Sequence, residues 1–566
     1  MTSRPGIAAA LGVVGLCLLA LGPGLGSGSR LSYHEGFVAQ GAREILASGD
    51  WSAPTIGGRP WLEKPPLPFW TAAVAGAIAG DVSPMAARLP SALAATALAL
   101  GVATLARRRF GARVGLLAGC VQATTAWAVM RGRLAEADVI LAALFAWTTV
   151  AFDRLRETED ADGDEADPRR RDAWRWAFFA LLGATSLVKG IGFGAAQAGA
   201  AAVATLAWDR RPGAWRRLVH PAGWLVAAAL TLAWPAWMIH LHGEGAAQLW
   251  LMHVVDRFGE RTGHGVFAGE GLGEYALNLL VQGLPWTPFA ILGARRSLAR
   301  RSAGDRLLAC WAAVPLLMVS IPGARNGHYA IYAMIPWSTW AAISLDALGE
   351  RLARAGRPPA RVARLATVAF VLAAAAFGAG FGLVAPRFER RGAEPAFYER
   401  VGGLVGRSEP LVLMYDDWDR EPYPTPFGPI PHDLAVRLYY LGRPATWLLD
   451  EPSETVAPSA SVAVIGRDRD LPALAEAGEV ELVARGPDSR WDRAFALFRV
   501  RPLATTARPG DAAAGGLRSP SRGEAAGSDV RGWFARRLPA SRPLPAFQDA
   551  SSRGGSCAGG SDRCQS

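Results

Sequence analysis

The sequence predicts an α-helical polytopic membrane protein of about eleven transmembrane helices, with a small extracytoplasmic α/β domain towards its C-terminus. Three observations predict it. Of 566 residues, 51% are hydrophobic and the mean hydropathy is +0.16, more apolar than a soluble chain of this length. The apolar residues are bunched into runs of about 16–22, the length that crosses a hydrocarbon core. Lys and Arg cluster in alternate loops between those runs, the pattern that orients membrane helices with their positive ends inside.

The basic clusters are Arg107-Arg108-Arg109, Arg169-Arg170-Arg171, Arg210-Arg211 with Arg216-Arg217, Arg295-Arg296 with Arg300-Arg301, and Arg351 to Arg364. Because they sit in short connections, the formal charge of +11 is a topology signal and gives no reason to expect a nucleic-acid partner. Trp residues near run ends act as interfacial anchors. Cys17, Cys120 and Cys310 fall in apolar runs and read as small hydrophobes. Cys557 and Cys564 share a Gly/Ser-rich tail and could pair if that tail is extracytoplasmic; no zinc spacing is present.

The first run, Ile7 to Leu25, reads as a signal anchor, with a cleavable signal as the alternative. Further spans are predicted at 88–106, 113–130, 138–153, 174–188, 191–208, 221–241, 275–294, 306–321, 328–347 and 365–385. The segment Pro66 to Gly80 is apolar too, but if it crossed, every later Arg cluster would change sides. It is therefore expected to be an interfacial or re-entrant helix. With that parity the outer face collects the loop from 27 to 87, the turn RGRLAEAD, the turn at Lys189-Gly190, the loop from His240 to Glu274, and the turn PGARNGHY. Residues 1–385 form the transmembrane domain. Residues 386–501 read as short strands with two helices, an α/β domain, and 502–566 as a disordered tail.

The outer loop carries LSYHEGF, in which Ser32 and Glu35 have capping-box spacing. A helix should run from there to Gly49. Taken alone, Glu35 is a cap, His34 a first-turn residue, Asp138 an N-terminal acid favoured by the helix dipole, and Lys64 an interfacial cation before two prolines. His253 and Arg257 are four apart and share a helix face. Their joint recurrence at outer span ends favours a gathered active site.

The order HEG-x7-EIL-x-SGDW-x9-WLEKPP, then RL-x3-D, LVKG, H-x3-RF, GLPW and PGARNGHY resembles membrane glycosyltransferases of the GT-C type, in the aminoarabinose transferase and protein O-mannosyltransferase superfamily. The resemblance covers Arg4 to Leu348 and rests on motif order. It implies a sugar donor linked to polyprenyl phosphate and an extracytoplasmic acceptor, with inversion. It also implies roles: His34-Glu35 stand where the family usually has Asp-Glu, so the usual base is replaced by His34, with Glu35 or Asp138 as alternatives. Lys64 matches the lysine on the lipid phosphate, with Arg257, Tyr329 and Lys189 as helpers. Glu63 and His253 match positions that can hold a divalent metal, but two ligands do not make a metalloenzyme.

A neutral imidazole is a competent base, and a helix N-terminus disfavours its protonation. The rival readings are a transporter or flippase, which would line a mid-membrane path with ionisable groups, and an inactive relative. The sugar stays open, as does the choice between a lipid A-like glycolipid, a polysaccharide and a protein as acceptor.

Overall fold

The structure is a computed structural model that describes residues 4–27, 29–157, 168–210, 214–259, 273–321, 329, 332–388, 393–414, 425–428, 430–448, 461–486 and 495–502. The tail expected to be disordered, with Cys557 and Cys564, lies outside the described residues from 503 onward, as does most of PGARNGHY.

The membrane part runs α1 (Arg4–Leu21), α2 (Tyr33–Ser48), the hairpin β1 (Thr55–Ile56) and β2 (Arg59–Pro60), α3 (Leu67–Ala79), α4 (Pro84–Phe110), α5 (Ala112–Ala123), α6 (Ala126–Gly132), α7 (Ala137–Glu157), α8 (Pro168–Phe193), α9 (Ala195–Asp209), α10 (Pro221–His242), α11 (Glu244–Gly259), α12 (Gly273–Gln282), α13 (Thr287–Arg300), α14 (Ala303–Ser320), α15 (Met334–Arg354) and α16 (Pro359–Ala379). There follow α17 (Ala393–Leu404), β3 (Leu411–Met414), α18 (Leu434–Leu441), β4 (Thr446–Leu448), β5 (Val462–Arg467), α19 (Leu471–Ala477), β6 (Glu479–Arg485) and β7 (Phe495–Arg501).

Among the described residues, five helices are long and apolar enough to cross a bilayer: Pro84–Phe110, Asp172–Phe193, Pro221–His242, Ala303–Ser320 and Pro359–Phe388. This falls short of the expected eleven, partly because two expected spans are broken. The run 113–130 divides at Thr124-Thr125, whose hydroxyls donate to the carbonyls of Cys120 and Val121, both at 2.6 Å. The run 275–294 divides at 283–286. The two breaks dock on each other: Ala126 N donates to Leu284 O at 2.9 Å, and Trp286 Nε1 to Thr124 Oγ1 at 2.9 Å. Irregular backbone at this depth is tolerated because protein, not lipid, satisfies its polar groups.

The helix α3 has 13 residues and is therefore about 20 Å long, against a hydrocarbon core of about 30 Å. It is too short to span unaided, which agrees with the interfacial or re-entrant reading of this segment. It packs on α2 and α4, leaving Val74 and Ile78 exposed.

The two largest of four apolar cores among the described residues organise the fold. One lies inside the bundle, with Trp127, Phe145, Phe152 and Trp311 at its centre. The other joins α2, α3 and the hairpin to the C-terminal elements, through Phe37, Trp61, Phe69, Leu434, Leu438 and Trp447. The C-terminal strands form one sheet in the order β4-β3-β5-β7-β6. The pairs β4/β3 and β3/β5 are parallel; β5/β7 and β7/β6 are antiparallel. This layer is clamped to the segment 27–87: α18 lies on α2, Arg30 pairs with Glu399 at 2.8 Å, Tyr439 Oη donates to Val82 O at 2.8 Å, and the Arg59 guanidinium sits 3.9 Å from the Trp447 ring centre.

A close approach in that clamp is at Gly36, where an added Cβ would lie 2.8 Å from Val436 Cβ and 2.9 Å from its backbone N. Gly36→Ala is therefore expected to force α2 and α18 apart and cost about 1–3 kcal/mol. Thermal unfolding of the purified protein in detergent measures it; an unchanged midpoint would refute the packing.

Candidate active site

The capping box is present as read: Ser32 N donates to Glu35 Oε2 at 2.9 Å and Glu35 N to Ser32 Oγ at 3.4 Å, and α2 ends at Gly49 in the left-handed region. Glu35, however, does more than cap. It is 1% exposed and turned away from solvent onto Arg88 of α4, Nε to Oε1 at 2.7 Å. The same Oε1 accepts the Ala135 N–H at 3.1 Å. Arg88 in turn donates to the carbonyls of Leu25, Ser29 and Arg30 at 3.0–3.2 Å. One buried ion pair thus ties the start of α2, α4 and the turn that leads into Asp138. Its oxygens are occupied by partners, which sets Glu35 apart from the groups that face the cleft.

Lys64 is delivered by the hairpin. Glu44 accepts from Thr55 Oγ1 and from the N–H groups of Gly57 and Gly58, at 2.6, 2.8 and 3.1 Å, fixing the turn. Trp61 then stacks on Phe37 at 4.3 Å, and Trp250 Nε1 donates to Leu62 O at 2.9 Å. Pro65 and Pro66 stiffen the entry to α3. The half-buried Lys64 ammonium has no hydrogen bond or ion pair within 4 Å among the described residues. Burial works against its charge, but Glu63, Asp138, Tyr329 and Glu136 outweigh that and raise its pKa above the usual lysine value.

Asp138 sits in the first turn of α7, 5% exposed, and forms an ion pair with Lys189. Lys189 reaches it because α8 breaks there: Lys189 has φ −141° and Gly190 φ 80° with ψ 174°, a conformation that suits glycine. The Lys189 ammonium also lies 4.8 Å from the Tyr329 ring centre, and Tyr329 packs on Phe193 at 4.8 Å.

His34 is exposed to the cleft, its ring 3.8 Å from that of Tyr33. Crowding around the ring, then the charges of Lys64 and Arg131, push its pKa down to about 3. Crowding is the larger cause and the two cations add to it, so His34 is neutral at pH 7.

Of the residues singled out from sequence, the structure brings His34, Lys64, Asp138, Lys189 and Tyr329 to one end of the bundle, with Glu63 beside Lys64. The backbone of His253 and Arg257 belongs to α11, but their side chains lie outside the described residues. Among the described residues no group of three or more metal-ligating side chains occurs, so no metal step can be drawn from Glu63 and His253. Sequence reasoning missed three neighbours. Arg131 and Glu136 pair at 2.5 Å inside RGRLAEAD; a spacing of five across a turn matches no helical face rule. His432, from the C-terminal layer, lies 6.4 Å from Tyr33 ring to ring and acts on the His34 charge. Nothing local marks it.

A family model described as dolichyl-phosphate-mannose-protein mannosyltransferase matches residues 63–239. An undecaprenyl phosphate-α-4-amino-4-deoxy-L-arabinose arabinosyl transferase of Pseudomonas aeruginosa is 26% identical over 311 residues, 53% of this chain and 52% of that protein. One from Edwardsiella ictaluri is 28% identical over 309 residues, with the same shares. The crystal structure of ArnT from Cupriavidus metallidurans bound to undecaprenyl phosphate superposes with a TM-score of 0.67 at 19% identity, covering 88% of this chain and 98% of that one. Residues 63–239 thus match the mannosyltransferase family, about half of the chain is similar to aminoarabinose transferases, and the fold is that of ArnT. The chain spans about half the length of the curated relatives it matches. A more distant GT-C fold, the oligosaccharyltransferase of Archaeoglobus fulgidus, superposes with a TM-score of 0.50 at 14% identity, over 78% of this chain and 64% of that one.

Two outcomes check this geometry. Arg88→Met leaves Glu35 buried without its cation and is expected to cost about 3–5 kcal/mol, with Arg88→Lys recovering only part because it lacks the fork; detergent melting curves report both. For His34, the folded pKa lies below the ordinary 6.5, so the unfolded chain takes up the proton first. Its contribution is complete above pH 6.5 and is lost as pH falls towards 3. His34→Gln should therefore lose less melting temperature than the parent between pH 7.5 and 4.5, and equal losses would contradict the assigned environment.

Proposed function

We propose that this protein transfers a sugar from a polyprenyl-phosphate donor to an oxygen nucleophile of a glycolipid or protein on the outer side of the membrane. The observation that carries it is the convergence of three groups beside the short helix α3. They are a neutral imidazole, a lysine without a direct partner among the described residues, and a lysine-paired aspartate. In this reading the chain is multi-pass, the cleft faces outward, and the C-terminal α/β layer lies over it.

The acceptor oxygen attacks the anomeric carbon as the bond from that carbon to the phosphate oxygen breaks. The phosphate leaves with the electron pair, and the acceptor proton passes to His34. Lys64 lies where negative charge develops on the leaving phosphate and stabilises it without rearranging. Tyr329 and Lys189 complete that end, and motif order alone adds Arg257 to it. Asp138 holds Lys189 in place and balances its charge. Inversion follows from single displacement.

A long isoprenoid cannot leave the bilayer, so its path must be apolar up to the phosphate. A groove of about 320 Å³ lined by Trp70 of α3, Leu187 of α8 and Leu230, Ala233, Trp234 and Trp237 of α10 fits that need. Leu187 precedes Lys189, the site of the break in α8, by two residues. That relatives are named as undecaprenyl phosphate-dependent arabinosyl transferases, and that ArnT has been crystallised with undecaprenyl phosphate, supports the donor class.

Mass spectrometry of glycolipids and glycoproteins from cells with and without the gene should reveal a sugar that depends on it. In that assay Lys64→Gln is expected to lower turnover by about 10²–10³-fold, and His34→Ala by about 10²–10⁴-fold. Full activity of the Ala variant would take His34 out of the mechanism. Identical glycan profiles with and without the gene would refute the proposal.

A further inference from the structure

Three arginines surround the turn that leads into Asp138, and two of them are fully engaged in holding backbone. Arg88 grips Glu35 and three carbonyls. Arg133 donates to Leu21 O and Pro23 O, both at 2.6 Å, and so caps the end of α1. The third, Arg131, is different. Its charge acts on His34 and Asp138, the two central groups of the cleft. Its one hydrogen bond among the described residues runs from Nη1 to Glu136 Oε2 at 2.5 Å. The Nε–H is buried and has no acceptor among them.

A guanidinium carries five N–H donors in a rigid fork suited to two oxygens of one oxyanion. A buried donor without an acceptor is unfavourable unless a ligand supplies one. Glu136 is a poor permanent counter-ion. Burial, with the Asp138 and Glu35 carboxylates behind it, raises its pKa against the pull of Arg131. The pair is 19% and 13% exposed, so it is not sealed off from solvent.

We propose that Arg131 is the cation of an anion subsite beside His34, which takes a phosphate oxyanion and displaces Glu136 as its counter-ion. The charges of Lys64 and Arg131 both act on the imidazole. The phosphate belongs either to the lipid donor or to the acceptor. Its place in a transfer reaction rests on the proposed function; its binding does not.

The test is calorimetric titration of the full chain in lipid nanodiscs, with inorganic phosphate and with farnesyl phosphate as probes. Arg131→Gln should weaken inorganic phosphate binding by roughly tenfold, the size of a charge-assisted hydrogen bond. Glu136→Gln should strengthen it, because the competing carboxylate is gone. Arg131→Lys should fall between the parent and Arg131→Gln, and it serves as the charge-retaining variant if the glutamine does not fold. A merely structural salt bridge would lower the melting temperature in both variants without moving affinity in opposite directions. Affinities that shift the same way, or not at all, overturn the proposal. If saturating farnesyl phosphate blocks inorganic phosphate, the subsite holds the donor phosphate; if both bind together, it holds the acceptor's. Absence of any sugar transfer would sink the proposed function and leave this result standing.

Discussion

The buried pair between Glu35 and Arg88 is the constraint from which the cleft is built. Two ions taken out of water are costly unless their remaining hydrogen-bonding capacity is met, and here it is met by backbone from three places. Glu35 accepts from Ser32 and Ala135 while Arg88 donates to Leu25, Ser29 and Arg30. His34 is the residue before Glu35, and Asp138 lies three residues beyond Ala135. The pair therefore sets the spacing between imidazole and aspartate without touching anything in the cleft.

Charge in the cleft is arranged by pairing at unequal strength. Lys189 is bound to Asp138, Arg131 is held by one contact to Glu136, and Lys64 is surrounded by acids without a direct partner among the described residues. The two less satisfied cations, Lys64 and Arg131, are those whose charges act on His34. They add to burial in keeping the imidazole neutral, since each cation disfavours a further positive charge.

The far end of the bundle handles charge in another way. Asp153 accepts from Arg109 Nε at 2.6 Å and from Arg156 Nε at 3.2 Å, and Asp209 joins Arg156 to Arg306. Part of what reads in the sequence as loose basic loops is thus a buried network joining α4, α7, α9 and α14. The two ends of α7 carry Asp138 and Asp153, fifteen residues apart, or about 22 Å along the axis. One helix spaces an open, reactive cluster from a closed, structural one.

What the sequence determined by itself is whatever is encoded within a few residues. The capping box at Ser32 and Glu35, the stop at Gly49 and the first-turn position of Asp138 all follow from local propensity and spacing. Motif order carried the family and the set of residues His34, Lys64, Asp138, Lys189 and Tyr329. Only the tertiary structure decided that Glu35 faces Arg88, that Lys189 crosses to Asp138, and that Arg131 and His432 border the imidazole. It also broke the two expected spans, because Thr124 and Trp286 find each other across 162 residues. Hydropathy averages over a window and cannot see a hydrogen bond made between two distant irregularities. Ion-pair partners at such separations are chosen by packing, and packing is a property of the whole chain.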